Sequence, residues 1–372
     1  MKDTLTSRDK VLILLESQKG QYVSGEEIAS QLGISRTAVW KAVKILKRDG
    51  YRIDSVTNRG HCLSPGSDIL SEKTIRGYLS ENENLQPIAL DVFDTVGSTN
   101  TVCLQHASEE MHHVSAGVSE KDNTPHPVYA AISGGQTRGR GRRGRTFFSP
   151  SGTGLYMSIL LRPAGLGAEQ AVKYTTVAAV AVAEAIEAVS GKTASIKWVN
   201  DIYVEERKVC GILTEASFNP EDGTLDYAVV GIGINVYEPQ GGFPPEIKDR
   251  AGALAVSVCR NHWDDYKYDP ESNEVLKNGG RNRLAAEIIS RFLSALDDQL
   301  IPPSGDASDP PLYAVKYRQR CFVIGHDVDV IKAGSDPRKA HVLDVDSECR
   351  LIVRYENGAE EVLSSGEISI RI

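Results

Sequence analysis

Between Gly135 and Pro150 the chain reads GQTRGRGRRGRTFFSP, and the eight residues from Arg138 to Arg145 hold five arginines separated by three glycines. Guanidinium groups make charge-assisted, often bidentate bonds to carboxylates and phosphates, and glycine lets backbone approach a ligand closely. The chemistry on offer is anion binding. No Gly-Lys-Ser/Thr follows, so the stretch is not a P-loop. Gly139–Gly144 matches GxGxxG literally, but a dinucleotide fold would continue into an apolar helix, whereas RTFFSPSGTGLYMS reads as a turn and a strand. A nucleic-acid-binding arm and a disordered lid that folds over an anionic ligand both fit. Composition does not choose between them.

A second cationic feature lies at the N-terminal end. Residues 1–65 carry eleven Lys/Arg against seven Asp/Glu, a net +4, which leaves −12 for the other 307 residues of a chain whose total is −8. A basic module on an acidic body points to a polyanion partner. DKVLILLESQK (9–19) has amphipathic helical spacing, and SGEEIASQLG follows with Ser24 as N-cap and Glu27 three residues on, a capping box. After the turn GIS, SRTAVWKAVKILKRDGY puts Val39, Val43 and Leu46 on one face and Arg36, Lys41, Lys44 and Lys47 elsewhere. Two short helices joined by a glycine turn, the second basic at its start, predict a helix-turn-helix. YRIDSVTNRGHCL, bent at Asn58–Gly60, adds a wing. Ser35, Arg36, Thr37, Lys41 and Lys44 are the candidate DNA contacts; a helical cap with a solvated basic face is the plainer alternative.

SPGSD (Ser64–Asp68) has the composition of a linker. Beyond it ALDVFDTV, VYAAISGG, GLYMSILLRP, SIKWVNDIYV, KVCGILTEA and YAVVGIGINV each read as a strand. AEQAVKYTTVAAVAVAEAIEAVSGK is a long helix closed by Gly191 and Lys192. CRNHWDDYKYDPESNEVLKNGGRNR reads as an exposed insertion, and RLAAEIISRFLSALDDQL as helix. From Cys321 onward DVDVIKA, AHVLDVD, RLIVRY and EEVL are short strands, with a hairpin turn at Asn357-Gly358. The expected fold is α+β in three parts: a winged helix-turn-helix (1–65), a mixed α/β catalytic domain (66–320) and a small β-barrel (321–372). Six cysteines without a CxxC pair read as free thiols, and His112–His113 as a solvated loop rather than a metal site. With no apolar run near the roughly 20 residues of a membrane span and no signal-peptide segment, the expected location is cytoplasmic.

STN (Ser98–Asn100), QTRGRGRRGR, KWVND (Lys197–Asp201), RKVCGILTE, GIGIN (Gly231–Asn235) and GEISIR (Gly366–Arg371) occur in that order. Together they closely resemble the bifunctional biotin protein ligases that double as biotin operon repressors, over essentially the whole chain. Val199 stands where that family often has proline, Phe147 where tryptophan is common, and Trp263–Gly280 looks inserted. The resemblance implies the fold of the biotin/lipoate ligases, with an SH3-like C-terminal barrel. It also implies two chemical steps. Biotin's carboxylate attacks the α-phosphate of Mg-ATP to give biotinyl-5′-adenylate, and a lysine of a biotin carboxyl carrier protein then takes the acyl group, releasing AMP.

Carried onto this chain, the resemblance makes Arg142, Asp201 and Lys208 catalytic. Ser98, Thr99, Asn100, Gln136, Arg140, Gly141, Arg142, Lys208 and Gly231 would bind biotin, and Arg143, Phe147, Asn200 and Asn235 the nucleotide. Two anions brought together must be offset by cations, the role of Arg140, Arg142 and Lys208. Asp201 would orient the incoming lysine or steady Mg²⁺. Operator DNA and a homodimer, formed when the adenylate is bound, are the implied partners. A repressor that has lost ligation and a lipoate-type ligase are the alternatives. Each site residue also has a structural reading: a turn at Asn200-Asp201, a surface charge at Lys208, packing at Gly231 and Gly233.

Overall fold

The first helix, α1 (Ser7–Ser17), opens with a reciprocal cap: Thr6 Oγ1 accepts from the Asp9 N–H, and the Asp9 carboxylate accepts from the Thr6 N–H at 3.0 Å. At α2 (Gly25–Leu32) only half of the expected box forms. Ser24 Oγ accepts from the Glu27 N–H at 3.0 Å, while the Glu27 side chain accepts from Gln31 instead. Gly33, left-handed at φ 61°, ends α2 and turns the chain into α3 (Arg36–Arg48). The wing is the hairpin of β1 (Ile53–Val56) and β2 (Gly60–Leu63). Gly60 sits at φ 105° and a Cβ there would lie 2.1 Å from the Val23 carbonyl, so both conformation and space demand glycine. Val11, Leu12, Leu15, Ile28, Val39, Val43 and Leu46 form the core of this module.

The computed structural model describes residues 6–48, 51–64, 67–80, 88–115, 128–163, 167, 170–255, 273–298, 310–332, 336–364 and 367–370. Most of the Trp263–Gly280 insertion lies outside them. Among the described residues, no helix is long and apolar enough to cross a membrane.

The central body contains α4 (Glu72–Leu79), α5 (Thr99–Ser115), α6 (Gln170–Ser190), α7 (Glu274–Lys277), α8 (Gly280–Asp298) and α9 (Leu312–Arg320). Its strands are β3 (Ile88–Phe93), β4 (Val128–Ser133), β5 (Gly154–Leu161), β6 (Ser195–Lys197), β7 (Asp201–Val204), β8 (Arg207–Phe218) and β9 (Leu225–Asn235). They form one sheet in the order β3-β4-β5-β9-β8-β7-β6, parallel only between β3 and β4. The side-chain period of two divides it between two layers. Tyr129, Ala131, Leu160 and Val229 pack with Cys103 and Ala107 of α5, whereas Ala130, Ile132, Met157, Ile159, Val230 and Ile232 pack with α6 and α8. A strand covered on both faces reads as a nearly continuous apolar run, and every residue of β5 is buried, Ser158 being its one buried polar residue.

Three sequence expectations change here. SIKWVNDIYV is two strands, because Trp198–Asn200 turns the chain back and pairs Lys197 with Asp201. His112 and His113 belong to α5 rather than to a loop. Asp68, the last residue of the linker-like SPGSD, is fixed rather than free. Asp68 accepts from the Arg281 backbone N–H at 3.1 Å, from its Nε at 3.2 Å and from the Tyr237 hydroxyl. Arg281 also donates to the Gly154 carbonyl at 3.0 Å, at the first residue of β5.

The last body is a five-stranded antiparallel sheet, β13-β12-β11-β10-β14. Its strands are β10 (Asp327–Ile331), β11 (Arg338–Val345), β12 (Leu351–Tyr355), β13 (Glu360–Leu363) and β14 (Glu367–Ile370). β13 and β14 stand at the two ends of this order, and the result is a small antiparallel sheet domain at the place where the small barrel was expected. It is fastened to the central body where Trp198 Nε1 donates to the Cys349 carbonyl at 2.9 Å, and within the central body the neighbouring Val199 carbonyl is held by the Tyr317 hydroxyl of α9 at 3.0 Å.

The Asp68–Arg281 side chains are 5% and 3% exposed. Removing one member of such a pair leaves a buried charge without its partner, so Asp68→Ala is expected to lower unfolding free energy by about 3–5 kcal/mol. Urea denaturation checks this; a loss under about 1 kcal/mol would mean that water compensates Arg281 and the pair is not structural.

Candidate functional site

The site is assembled where the N-terminus of α5, the β4–β5 loop and the middle of β8 and β9 meet. Ser98, Thr99 and Asn100 begin α5 and are nearly fully buried. The Thr99 N–H donates to Gln136 Oε1 at 2.9 Å, and Gln136 Nε2 donates to Ser149 Oγ at 3.1 Å. Asn100 Nδ2 donates to Glu215 Oε2 at 2.8 Å, while its Oδ1 lies 2.6 Å from Ser158 Oγ. Ser158 Oγ is also 2.7 Å from Thr99 Oγ1. This polar floor stands inside the apolar sheet with its buried groups mutually bonded.

Over it lies the arginine-glycine loop, which the structure places as a narrow hairpin rather than a disordered lid. The Gly141 N–H donates to the Arg145 carbonyl at 2.7 Å, Arg140 bridges to Thr146, and Arg142–Gly144 makes one tight 3₁₀ turn with Arg143 at φ 56°. The arginines spread to different partners. Arg140 pairs with Glu215 at 2.7 Å, Arg142 Nη1 donates to Asn200 Oδ1 at 3.0 Å, and Arg143 Nη2 reaches the Ile331 carbonyl at 3.5 Å. Asn200 is itself fixed by donating to the Ile212 carbonyl at 2.8 Å. Lys208 Nζ lies 2.6 Å from Asp201 Oδ1, so it is not an isolated surface charge.

Between loop and sheet runs a cleft of about 310 Å³. Every ligand-site residue marked in the sequence, from Ser98 to Asn235, lines it. Its described lining contains seven cations (Arg140, Arg142, Arg143, Arg145, Lys197, Lys208 and Arg250) and one carboxylate, Asp201. That balance selects an anionic ligand. Phe147 lies over the paired glycines of β8 and β9: a Cβ on Gly233 would come within 2.7 Å of its ring, and one on Gly211 within 3.3 Å. A Cβ on Gly231 would lie 2.0 Å from Asn100 Oδ1. Asn235 Nδ2 donates to the Gly252 carbonyl at 3.0 Å, closing the far end.

Covalent thiol chemistry is not available: burial pushes the Cys210 thiol, which lines the cleft, far above its usual range. Tyr203, also in the lining, is pushed up to about 12 by burial and by the nearby Asp201 charge, so it stays a neutral phenol. Among the described residues no group of three or more His, Cys, Asp or Glu could hold a metal ion alone.

Sequence reasoning missed Ser158, Ser149, Glu215 and the Ile368 of β14 that reaches the cleft. Ser158 left one signal, a lone hydroxyl in the otherwise apolar GLYMSILL. Glu215 closes the motif RKVCGILTE, but an acid near the end of a strand reads as solvated, and so the sequence assigns it no role.

The expected DNA contacts lie apart from the cleft, on the solvent face of α3. Ser35, Arg36, Thr37, Lys41 and Lys44 are all exposed. Ser35 Oγ accepts from the Ala38 N–H at 3.2 Å and so caps the helix, Arg36 lies 3.7 Å from Glu26, and Lys44 Nζ sits over the Trp40 ring.

Comparison with known proteins agrees with this geometry. The model of the Biotin/lipoate A/B protein ligase family matches residues 119–235, an HTH domain model matches 7–61, and the biotin protein ligase C-terminal domain matches 323–371. The bifunctional ligase/repressor BirA of Bacillus spizizenii is 36% identical over 256 residues, 68% of this chain and 72% of that protein. Its namesake from Escherichia coli (strain K12) is 31% identical, over 80% of this chain and 78% of the other. Among solved structures, the biotin protein ligase from Aquifex aeolicus in complex with biotin and ATP aligns with a TM-score of 0.52 at 25% identity, covering 76% of this chain and 98% of that one. With a helix-turn-helix module joined to a cationic ligase cleft and relatives that match both, the chain belongs to the family of bifunctional biotin protein ligase/repressors.

Proposed function

We propose that this chain activates biotin with ATP, transfers it to one lysine of a biotin carboxyl carrier protein, and represses transcription through its helix-turn-helix module in response to biotin. The observation that carries the ligase reading is the cleft lining, seven cations against one carboxylate beside a buried amide and hydroxyl floor. Within the matched family, the C-terminal match to a biotin protein ligase domain favours biotin over lipoate.

In the first step a carboxylate oxygen of biotin attacks the α-phosphorus, and the bond to the bridging oxygen breaks as pyrophosphate leaves. Ser98, Thr99, Asn100 and Gln136 hold the ureido end, and Gly231 leaves the room in which Asn100 sits. Arg140, Arg142, Gly141 at the loop backbone and Lys208 face the carboxylate and phosphate, where negative charge accumulates in a site poor in water. Phe147, Arg143, Asn200 and Asn235 position the nucleotide. In the second step the lysine amine of the carrier attacks the acyl carbon, the bond to the AMP oxygen breaks, and Asp201, the one carboxylate in the lining, orients the amine and takes its proton. The hairpin shields the mixed anhydride from hydrolysis.

The donor set fits Mg²⁺ only as a companion of the triphosphate, with Asp201 the one protein carboxylate near it. When bound, Mg²⁺ would offset charge on the departing pyrophosphate. On the DNA side, two-fold operators are read by pairs of helix-turn-helix modules, so the adenylate-bound chain is a homodimer.

Incubating the full chain with labelled biotin, Mg-ATP and a carboxyl carrier domain should label the carrier; an unlabelled carrier would remove the ligase reading. Arg142→Ala should cost under about 1 kcal/mol of stability but roughly 1.5–3 kcal/mol of affinity for the adenylate. Calorimetric titration and melting distinguish the two, and a variant with normal binding and a lowered melting temperature reverses the assignment. Gly231→Ala must push Asn100 off Ser158 and Glu215, so it should lose about 1–3 kcal/mol of stability together with biotin binding. Adding Asn100→Ala should restore the stability and not the binding; a Gly231→Ala protein with wild-type melting and titration would show that the contact yields freely. Sedimentation with and without biotin plus Mg-ATP tests assembly, and a monomer in both conditions would defeat the dimer.

A further inference from the structure

One aromatic side chain, Trp40, stands among the charges of α3. Among the described residues it is the most exposed large apolar side chain, 58% exposed. Single exposed apolar side chains are common, so what makes this one informative is its place among the charges of α3.

Its position is specific. At about 100° per residue, Arg36, Thr37, Trp40, Lys41 and Lys44 fall within an arc of about 140°, while Val39, Ala42, Val43 and Leu46 on the opposite arc are buried in the module core. Trp40 follows Arg36 by one helical turn and precedes Lys44 by another. Lys44 Nζ lies 5.2 Å from the centre of its ring, a cation–π contact that holds the indole to the helix surface. A cationic face of this kind is complementary to a nucleic-acid backbone, and the ring sits among the groups that would contact it.

We infer that Trp40 reads thymine in the operator by packing its ring on the C5-methyl group in the major groove. The proposal rests on the repressor reading above and adds to it a base-specific contact. A helix of this type enters the major groove, where the base edges are hydrogen-bond donors and acceptors with a single apolar exception, the thymine methyl. Arginine and lysine find partners at guanine and at phosphates; among the base edges of the major groove an indole face finds its apolar partner at the methyl. Lys44, stacked on the ring, faces the adjacent phosphate from a fixed position. Trp40 is thereby a specificity residue, whereas Lys41 and Lys44 supply affinity that is largely independent of sequence.

The test begins with selection. The full chain, with biotin and Mg-ATP, enriches duplexes from a random-sequence library, and the enriched duplex is then synthesised with dT or with dU, which lacks only the methyl. Wild type should bind the dU duplex more weakly, by about fourfold for each methyl lost. Trp40→Ala should bind the dT duplex more weakly and no longer distinguish the two, with an unchanged salt slope; Trp40→Phe should keep part of the discrimination. Lys41→Ala should keep all of it while its log–log salt slope falls by about 0.9. Melting curves of the variants show that the module still folds. If no sequence is enriched, the repressor reading itself fails. If a sequence is enriched but wild type ignores the methyl, or Trp40→Ala weakens both duplexes equally, Trp40 lies on sugar or phosphate and the inference is overturned.

Discussion

Seven positive charges facing one cleft repel one another, and the central body is arranged to hold them in spite of that. Three are pinned by groups on the sheet: Arg140 by Glu215 on β8, Arg142 by Asn200 at the β6–β7 turn, and Lys208 by Asp201 on β7. Asp201 and Glu215 are placed by strand pairing, and Asn200 is held at its turn by bonds to the Ile212 backbone, so the cations are spaced by groups fixed on the sheet. Glycines between the arginines keep the loop backbone thin enough to lie flat. The hairpin is a consequence of that pinning: where the arginines have partners, the loop between them has a shape.

The sheet solves a second problem, that of keeping polar floor groups inside an apolar core. Its two faces are sorted by side-chain parity, and the floor sits where α5 begins, at the margin of one face. Ser158 bonds upward to Thr99 and Asn100 from a strand whose neighbours are all apolar. Gly231 and Gly233 leave the space that Asn100 and Phe147 fill. A buried polar group that lacks its partners is costly, so this floor tolerates little rearrangement, and its network rigidifies the cleft.

Much of this was legible in the sequence where the signal is local. Helical period, the Ser24 cap and the Gly33 stop marked the helix-turn-helix, and the order of short motifs marked the site. What escaped was decided by contacts distant in sequence. SPGSD has loop composition whether or not Asp68 meets Arg281, 213 residues away. SIKWVNDIYV is apolar enough for one strand, and the reversal at Trp198–Asn200 is decided by what pairs with each half. The α5 sequence mixes threonines, a valine and histidines and carries no clean period, so tertiary packing of Cys103 and Ala107 determines it. Trp40 was visible as a residue but not as an exposure, since helical spacing alone allows an aromatic on either side of a face boundary.

The chain's three tryptophans make two of its junctions optically distinct. Trp40 stands in solvent on the face of α3, 58% exposed, and Trp198 is 4% exposed with its indole N–H bound to the Cys349 carbonyl of the C-terminal sheet. Trp263 lies outside the described residues. Emission from Trp40 falls at the red, water-quenchable end and that from Trp198 at the blue, shielded end. The protein thus carries its own reporters, one colour for the surface of the DNA-reading helix and another for the seam between the catalytic body and the sheet that closes it.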